Sequence, residues 1–179
     1  TVFQTRELPD TLAVIGGGPI GTEMAQAFAR LGSAVTLIEA GDRLLPKDDP
    51  VLTESLRGRL TAEGVTVRLN TRVTRAEAMD RRSGLTLADA TGETMHTFDR
   101  VLIAAGRRAN TESLRPEAAN LTLNADGTLA VDARLRTRQR HIHALGDCAG
   151  PYPFTHMAEY QAGIVISNVV FRLPRRAHY

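Results

Sequence analysis

Gly16, Gly17, Gly18 and Gly21 crowd the segment VIGGGPIG, and Glu39 stands at the end of the apolar run AVTLIE. Together, so many missing side chains and one acid offer the chemistry of recognition. Backbone without side chains admits a bulky anion, and a carboxylate accepts hydrogen bonds from hydroxyls. Gly16, Gly18 and Gly21 fit the spacing G-x-G-x-x-G. In that spacing the first glycine permits a tight turn, the second lets a diphosphate approach the main chain, and the third lets a helix pack closely on a strand. Unpaired amides and the positive end of the helix dipole then attract phosphate. A carboxylate at the tip of the next strand can accept hydrogen bonds from an adenosine ribose and would repel a 2′-phosphate, so Glu39 favours NAD(H) over NADP(H). Arg43 is close enough to work against that preference. The plainer reading is a glycine-rich turn beside an incidental surface glutamate, and the position of the motif between a strand and a helix speaks against it. Glu23, one turn into the helix, has two readings of equal weight: a ligand contact, or a first-turn acid favoured by the dipole.

These residues need a scaffold, and the flanking sequence supplies one. Thr11 to Gly16 is an apolar run of strand length. Ile20, Met24, Ala27, Phe28 and Leu31 follow at helical spacing, and Gly32 closes that helix. Ala34 to Glu39 reads as a second buried strand. Asp49-Pro50 supplies an N-cap with proline at the first helical position. Leu52, Leu56 and Leu60 then recur at i+4, Gly64 ends the helix, and Val65 to Leu69 is a third strand. Strand, helix, strand, helix, strand calls for right-handed crossovers and a parallel sheet with helices on its faces. The pattern changes after that. Arg72 to Ala78, Leu85 to Ala88 and Glu93 to Phe98, separated by turn segments, predict a three-stranded antiparallel meander. Arg100 to Gly106 returns to a buried parallel-type strand. Loop chemistry dominates to Gly127. Strands are expected near Leu129 to Val131 and at His141 to Asp147, and a helix from about Thr155 to Phe171 with Ala158, Ala162, Val165 and Val169 on its apolar face. The fold class expected is α/β: a Rossmann-like βαβαβ parallel sheet with the meander, plus a further partial segment.

Composition narrows the function classes. With 179 residues, 42% hydrophobic and 23% charged, the chain is ordinary globular protein able to bury one substantial core or two small ones. No apolar stretch reaches spanning length, and no charged-then-apolar leader opens the chain, so neither membrane insertion nor export is expected. The chain opens on Thr1 rather than Met, which points to a processed chain or a piece cut from something longer. Lys47 is the sole lysine, and the arginines are scattered under a net charge of only +2, which argues for a solvated surface rather than a nucleic-acid patch. One cysteine, Cys148, leaves no disulfide framework and no cysteine metal site.

Later segments carry a family resemblance. GGGPIGTE, LNTRVTRA, AAGRRAN and HIHALGDCAGPYPFTHMAEYQAG follow in order. Together they make the chain resemble the flavoprotein disulfide reductases, or class I pyridine nucleotide–disulfide oxidoreductases, of the dihydrolipoamide dehydrogenase and mercuric reductase type. The resemblance covers nearly the whole chain. It implies an NAD(P) domain over about residues 1–120 and, over 121–179, the returning segment of an incomplete FAD domain. It implies that Gly16, Gly17, Gly18, Pro19, Ile20, Gly21 and Glu23 cradle NAD, that Glu39 takes the ribose, that Val73 touches the adenine and that Gly106 lies near the nicotinamide. It tips Glu23 toward a functional role. Asp147 matches the aspartate that meets the FAD ribityl chain, and Pro153, Phe154, Thr155 and His156 match the stretch that meets the flavin. A helix starting near Thr155 would aim its dipole at the ring where negative charge gathers on reduction. His156 is then a main-chain contact rather than a base, and Cys148 a small buried residue rather than a nucleophile.

The chain also departs from the family pattern. A Cys-x4-Cys pair, the first G-x-G-x-x-G and the His–Glu acid/base pair are not in this sequence, and Pro19 replaces an aromatic often found in the loop. No residue of this chain is therefore assigned a catalytic role and none a metal. The expectation is the NAD(H)-binding portion of an FAD-dependent oxidoreductase, with hydride passing from NADH to flavin in a parent protein that is cytoplasmic and dimerises through a domain lying outside this chain. The isolated chain is expected to bind NADH weakly, FAD poorly, and to turn over nothing. The rival reading is a stand-alone NAD(H)-binding regulatory module with no redox role, and LGD with the PFTH helix argues against it.

Overall fold

Thr11–Ile15 forms β1, a strand of the four-stranded parallel sheet in the computed structural model, which describes residues 2–179. The other strands of this sheet are β2 (Ala34–Ile38), β3 (Thr66–Arg68) and β7 (Arg100–Ile103), in the order β3-β2-β1-β7. The connecting helices are α1 (Pro19–Leu31) and α2 (Pro50–Ala62). Between β3 and β7 the chain makes a separate antiparallel sheet of β4 (Arg72–Ala78), β5 (Ser83–Asp89) and β6 (Gly92–Phe98), with a register shift between Val73 and Arg75. The parallel sheet and the meander are those the sequence predicts.

Leu12, Ala13 and Val14 are all buried because the sheet is covered on both faces. Alternation assigns the two sides. Leu12 and Val14 join Val35 and Leu37 of β2, Ala25 of α1 and Leu60 of α2 in one cluster. Ala13 and Ile38 join Leu85, Leu87 and Phe98 of the meander in another. Both helices thus lie on one face, and the antiparallel sheet, not a helix, covers the other. Right-handed crossovers require this. β1 to β2 to β3 steps in one direction and keeps its helices on one side, whereas the return to β7 steps the other way and carries its connection across the opposite face. Each fully buried leucine or isoleucine contributes roughly 1.5–3 kcal/mol relative to exposure.

Helix ends follow local chemistry. Asp49 caps α2 by accepting hydrogen bonds from the amides of Val51 (2.8 Å) and Leu52 (3.4 Å). Gly32 takes the left-handed conformation (φ 113°) that stops α1. The buried faces differ in part from the expectation. On α1 the buried residues are Gly21, Thr22 and Ala25, while Ile20 and Leu31 are exposed. On α2 Thr53 and Leu60 are buried and Leu52 is exposed. At the start of α1 small residues hold the buried face because the helix packs closely on the glycine turn, while Phe28, Leu56 and Leu60 pack on the core as expected. At the amino end of the sheet, Asp99 Oδ2 accepts hydrogen bonds from the Thr11 amide and hydroxyl, both at 2.8 Å. The Asp99 amide donates back to Thr11 Oγ1 at 2.9 Å, and Arg82 pairs with the carboxylate at 3.1 Å.

By contact the chain divides into two compact units, Thr1–Gly106 and Arg107–Tyr179. The second has one helix, α3 (Thr155–Val169), and a small core of Leu129, Ala144 and Ala149. The strands expected at Leu129–Val131 and His141–Asp147 do not form. Each run makes one isolated bridge, Leu123 with Leu129 and Arg136 with His143, and otherwise bonds to turns. Gly146–Cys148 is instead a short 3-10 turn. On α3 the buried residues are Gln161 and Ile164, and Val169 from the expected face is exposed. Among the described residues no helix is long and apolar enough to cross a membrane.

Candidate functional site

The strand order reverses between β1 and β7, and a crevice outside the carboxyl ends of the strands is where open α/β sheets bind ligands. The glycine turn leaves the carboxyl end of β1, Glu39 the end of β2, and Gly106 lies just past β7. Strand pairing sets this alignment: the Gly16 amide donates to Ile38 O (2.8 Å) and the Ala104 amide to Ile15 O (2.8 Å).

Each glycine of the motif has its own reason to lack a side chain. Gly16 has φ 108°, and a Cβ there would stand 2.6 Å from Ala104 O. At Gly21 a Cβ would stand 1.8 Å from Gly16 O, so only glycine lets α1 pack on the turn. At Gly17 it would meet Leu44 Cδ2 at 2.6 Å. Gly18 differs, because a Cβ there would meet nothing within 4 Å. The protein itself does not need glycine at that position, but an anion approaching the main chain would. Gly18 is the N-cap of α1 with no side-chain cap, and Pro19 at the next position has no amide to satisfy. The Ile20 and Gly21 amides have no carbonyl four residues back within the helix. The residues present therefore fit a diphosphate.

Glu39 is half-buried and engaged at both oxygens. Oε2 accepts a hydrogen bond from the Gly17 amide at 2.6 Å and Oε1 one from the Gly41 amide at 2.7 Å. A carboxylate oxygen has two lone pairs, so acceptor capacity for hydroxyls remains. Arg43, the cation that could have offset it, donates to Pro46 O at 2.7 Å. Pro19, Ile20 and Glu23 are exposed at the start of α1. Val73 is half-buried at the start of β4, packed on the cluster of Ala13, Ile38 and Leu87.

The second unit gathers the other candidates. Asp147 lies in the 3-10 turn, and Phe154 is the N-cap residue of α3 with no side-chain cap. Phe154 and His156 stack at 5.5 Å with an 8° interplanar angle. Thr155 and His156 open the helix on the exposed surface. Two residues escaped the sequence reading. Arg107 Nη1 donates to Asp147 Oδ2 at 3.0 Å and to Pro153 O at 2.6 Å, joining both candidate stretches. Gln161, wholly buried, accepts the Gly146 amide at 2.6 Å and donates to the Tyr179 hydroxyl at 2.6 Å. Its signal was a lone glutamine between Ala158 and Ile164 at helical spacing. Arg107 had none beyond adjacency to Gly106. Cys148 is half-buried beside the small core and donates weakly to Leu145 O. Among the described residues no group of three or more His, Cys, Asp or Glu is disposed to hold a metal.

Comparison with known proteins identifies the family. Residues 1–162 match the family described as pyridine nucleotide-disulphide oxidoreductase. The dihydrolipoyl dehydrogenase of Chlamydia muridarum is 32% identical over 168 residues, 94% of this chain and 35% of that protein. The mercuric reductase of Acidithiobacillus ferrooxidans is 37% identical over 154 residues, 86% of this chain and 27% of that protein. Among solved structures, the HOCl-induced flavoprotein disulfide reductase RclA of Escherichia coli superposes with a TM-score of 0.88 at 33% identity, over 98% of this chain and 39% of that one. The chain thus spans about a third of the length of the relatives it matches. Sequence match, sheet order and the glycine turn agree, and the chain belongs to the pyridine nucleotide-disulphide oxidoreductase family.

Proposed function

We propose that this chain is the NAD(H)-binding portion of an FAD-dependent pyridine nucleotide-disulfide oxidoreductase. One observation carries the reading: Gly16, Gly17 and Gly21 are glycines because the protein's own atoms crowd them, whereas Gly18 opens onto free space. That opening, at the N-terminus of α1, leaves room for a group from outside the chain to approach the main chain. The main chain from Gly18 to Gly21, at the positive end of α1, receives the diphosphate. Glu39 accepts the adenosine ribose hydroxyls and repels a 2′-phosphate, and Arg43 is bonded elsewhere. Val73 borders the adenine side, and Glu23 and Gly106 the nicotinamide side.

The nucleotide-binding part covers about residues 1–120 and a flavin-facing part 121–179, the segment 107–120 packing with the latter. There Asp147 takes the ribityl chain, Pro153 and Phe154 lead into α3, and the Thr155 and His156 amides of its first turn face the ring. When bound, the dinucleotide supplies hydride and the flavin accepts it. This chain's own residues bind and orient. Fluorescence titration with NADH and NADPH tests the site. NADH is expected to bind, weakly, at least about tenfold tighter than NADPH, and Gly18→Val to abolish the signal. Unchanged NADH binding by Gly18→Val would refute it.

A further inference from the structure

The two hydrogen bonds on Glu39 carry more than a choice of nucleotide. Gly17 is held at both of its main-chain polar groups: its amide donates to Glu39 Oε2 at 2.6 Å, and its carbonyl accepts the Leu45 amide at 2.9 Å. Gly41, on the next loop, donates to Glu39 Oε1 at 2.7 Å while its carbonyl accepts the Asn70 amide at 2.8 Å. The Glu39 main chain is pinned as well, its amide donating to Arg68 O (2.8 Å) and its carbonyl accepting the Thr71 amide (3.0 Å). One residue therefore joins the glycine turn after β1 and the loop after β2 through its side chain, and the turn after β3 through its main chain.

We infer that Glu39 is a positioning residue for the glycine turn, fixing it in its diphosphate-receiving shape in addition to reading the ribose. The inference rests on the nucleotide-binding reading of the same site. The chemistry demands glutamate. Two backbone donors need two acceptor oxygens on one group, and a carboxylate alone supplies them without a donor of its own. Glutamine would set its NH2 against one of the two amides. Aspartate is one methylene short of spanning from the tip of β2 to Gly17. Nucleotide preference and turn shape are thus bound to one residue, so replacing Glu39 does not convert the site to NADP(H). It removes the repulsion of a 2′-phosphate and, at the same time, loosens the turn that holds the diphosphate of either dinucleotide.

Hydrogen exchange of the Gly17 and Gly41 amides, read against Val14 in β1 and without added nucleotide, tests the inference directly. Both amides are expected to exchange about tenfold faster in Glu39→Gln and Glu39→Ala than in the native protein, with Val14 unchanged. Native-like exchange at Gly17 in Glu39→Ala would overturn it. Titration gives the second arm. Both variants are expected to lose about tenfold in NADH affinity without gaining affinity for NADPH. A gain in NADPH affinity to the native NADH level would also overturn it. If the native protein's NADH affinity is unaffected by Gly18→Val, the nucleotide reading fails by itself, and the exchange result still decides whether Glu39 holds the turn.

Discussion

Gly18 and Gly21 lie three residues apart and are glycines for opposite reasons. At Gly21 the Cβ of alanine would be driven into Gly16 O, a backbone atom that cannot swing aside. Gly21→Ala is expected to cost about 3 kcal/mol or more, visible in urea denaturation. Gly18→Ala meets nothing and should leave the melting temperature unchanged while weakening NADH binding. A melting curve beside a titration separates the two. The spacing of the glycines was legible in the sequence because each does a stereotyped job. Arg107 and Gln161 were not, because their roles come from partners 40 and 15 residues away. An arginine after a glycine turn reads as surface, and a glutamine in a helix reads as solvated, until the fold brings Asp147 and Gly146 beside them.

α1 and α2 are tied together at one carboxylate. Glu63, at the end of α2, bonds Arg30 and Gln26 of α1 and Arg59 of its own helix. The hydrogen bond from Arg30 is the main cause that holds its carboxyl at about 2 against an ordinary 4.5. A carboxyl depressed by folding stabilises the fold in full above its unfolded pKa and loses that contribution as pH falls toward its folded one. The helix pair should therefore lose this support between about pH 4.5 and pH 2, and Glu63→Gln should flatten that part of the stability profile. The pair is largely solvent-facing on the arginine side, so the effect at neutral pH is small. Asp49→Ala, by contrast, removes a cap and should cost about 1 kcal/mol in thermal or urea unfolding at neutral pH. Both helices were legible from their caps, Asp49-Pro50 and Gly32. Their buried faces were legible in part: Phe28, Leu56 and Leu60 pack on the core as expected. Counting large apolar residues also put Ile20, Leu31 and Leu52 inside, where they are exposed, and missed Gly21, Thr22, Ala25 and Thr53.

Across the molecule, regular structure is concentrated before Arg107. Continuous apolar runs announced the buried parallel strands, and alternation announced the meander. In the second unit the same apolar signal misled, because a strand needs a partner and the runs at Leu129 and His141 find one residue each. Amide exchange should follow this division. The amides of β1 and β2 are expected to be the slowest in the chain, and those of 107–150, bonded mainly through turns, to open at lower free energy. Equal protection across the two units would contradict that ranking.

The cross-bonding of Thr11 with Asp99 stands at the opposite rim of the sheet from the glycine turn, and Asp99 is held below the usual carboxylate range chiefly by the Thr11 hydroxyl. That rim is anchored without any residue of the recognition rim, which leaves the exposed positions of the recognition loops open to laboratory evolution. Randomising only the exposed loop positions Asp42, Pro46, Lys47 and Asp48, with buried Leu44 kept, should yield mostly foldable members with altered ligand preference. Randomising Thr11, Arg82 and Asp99 should yield few that fold at all.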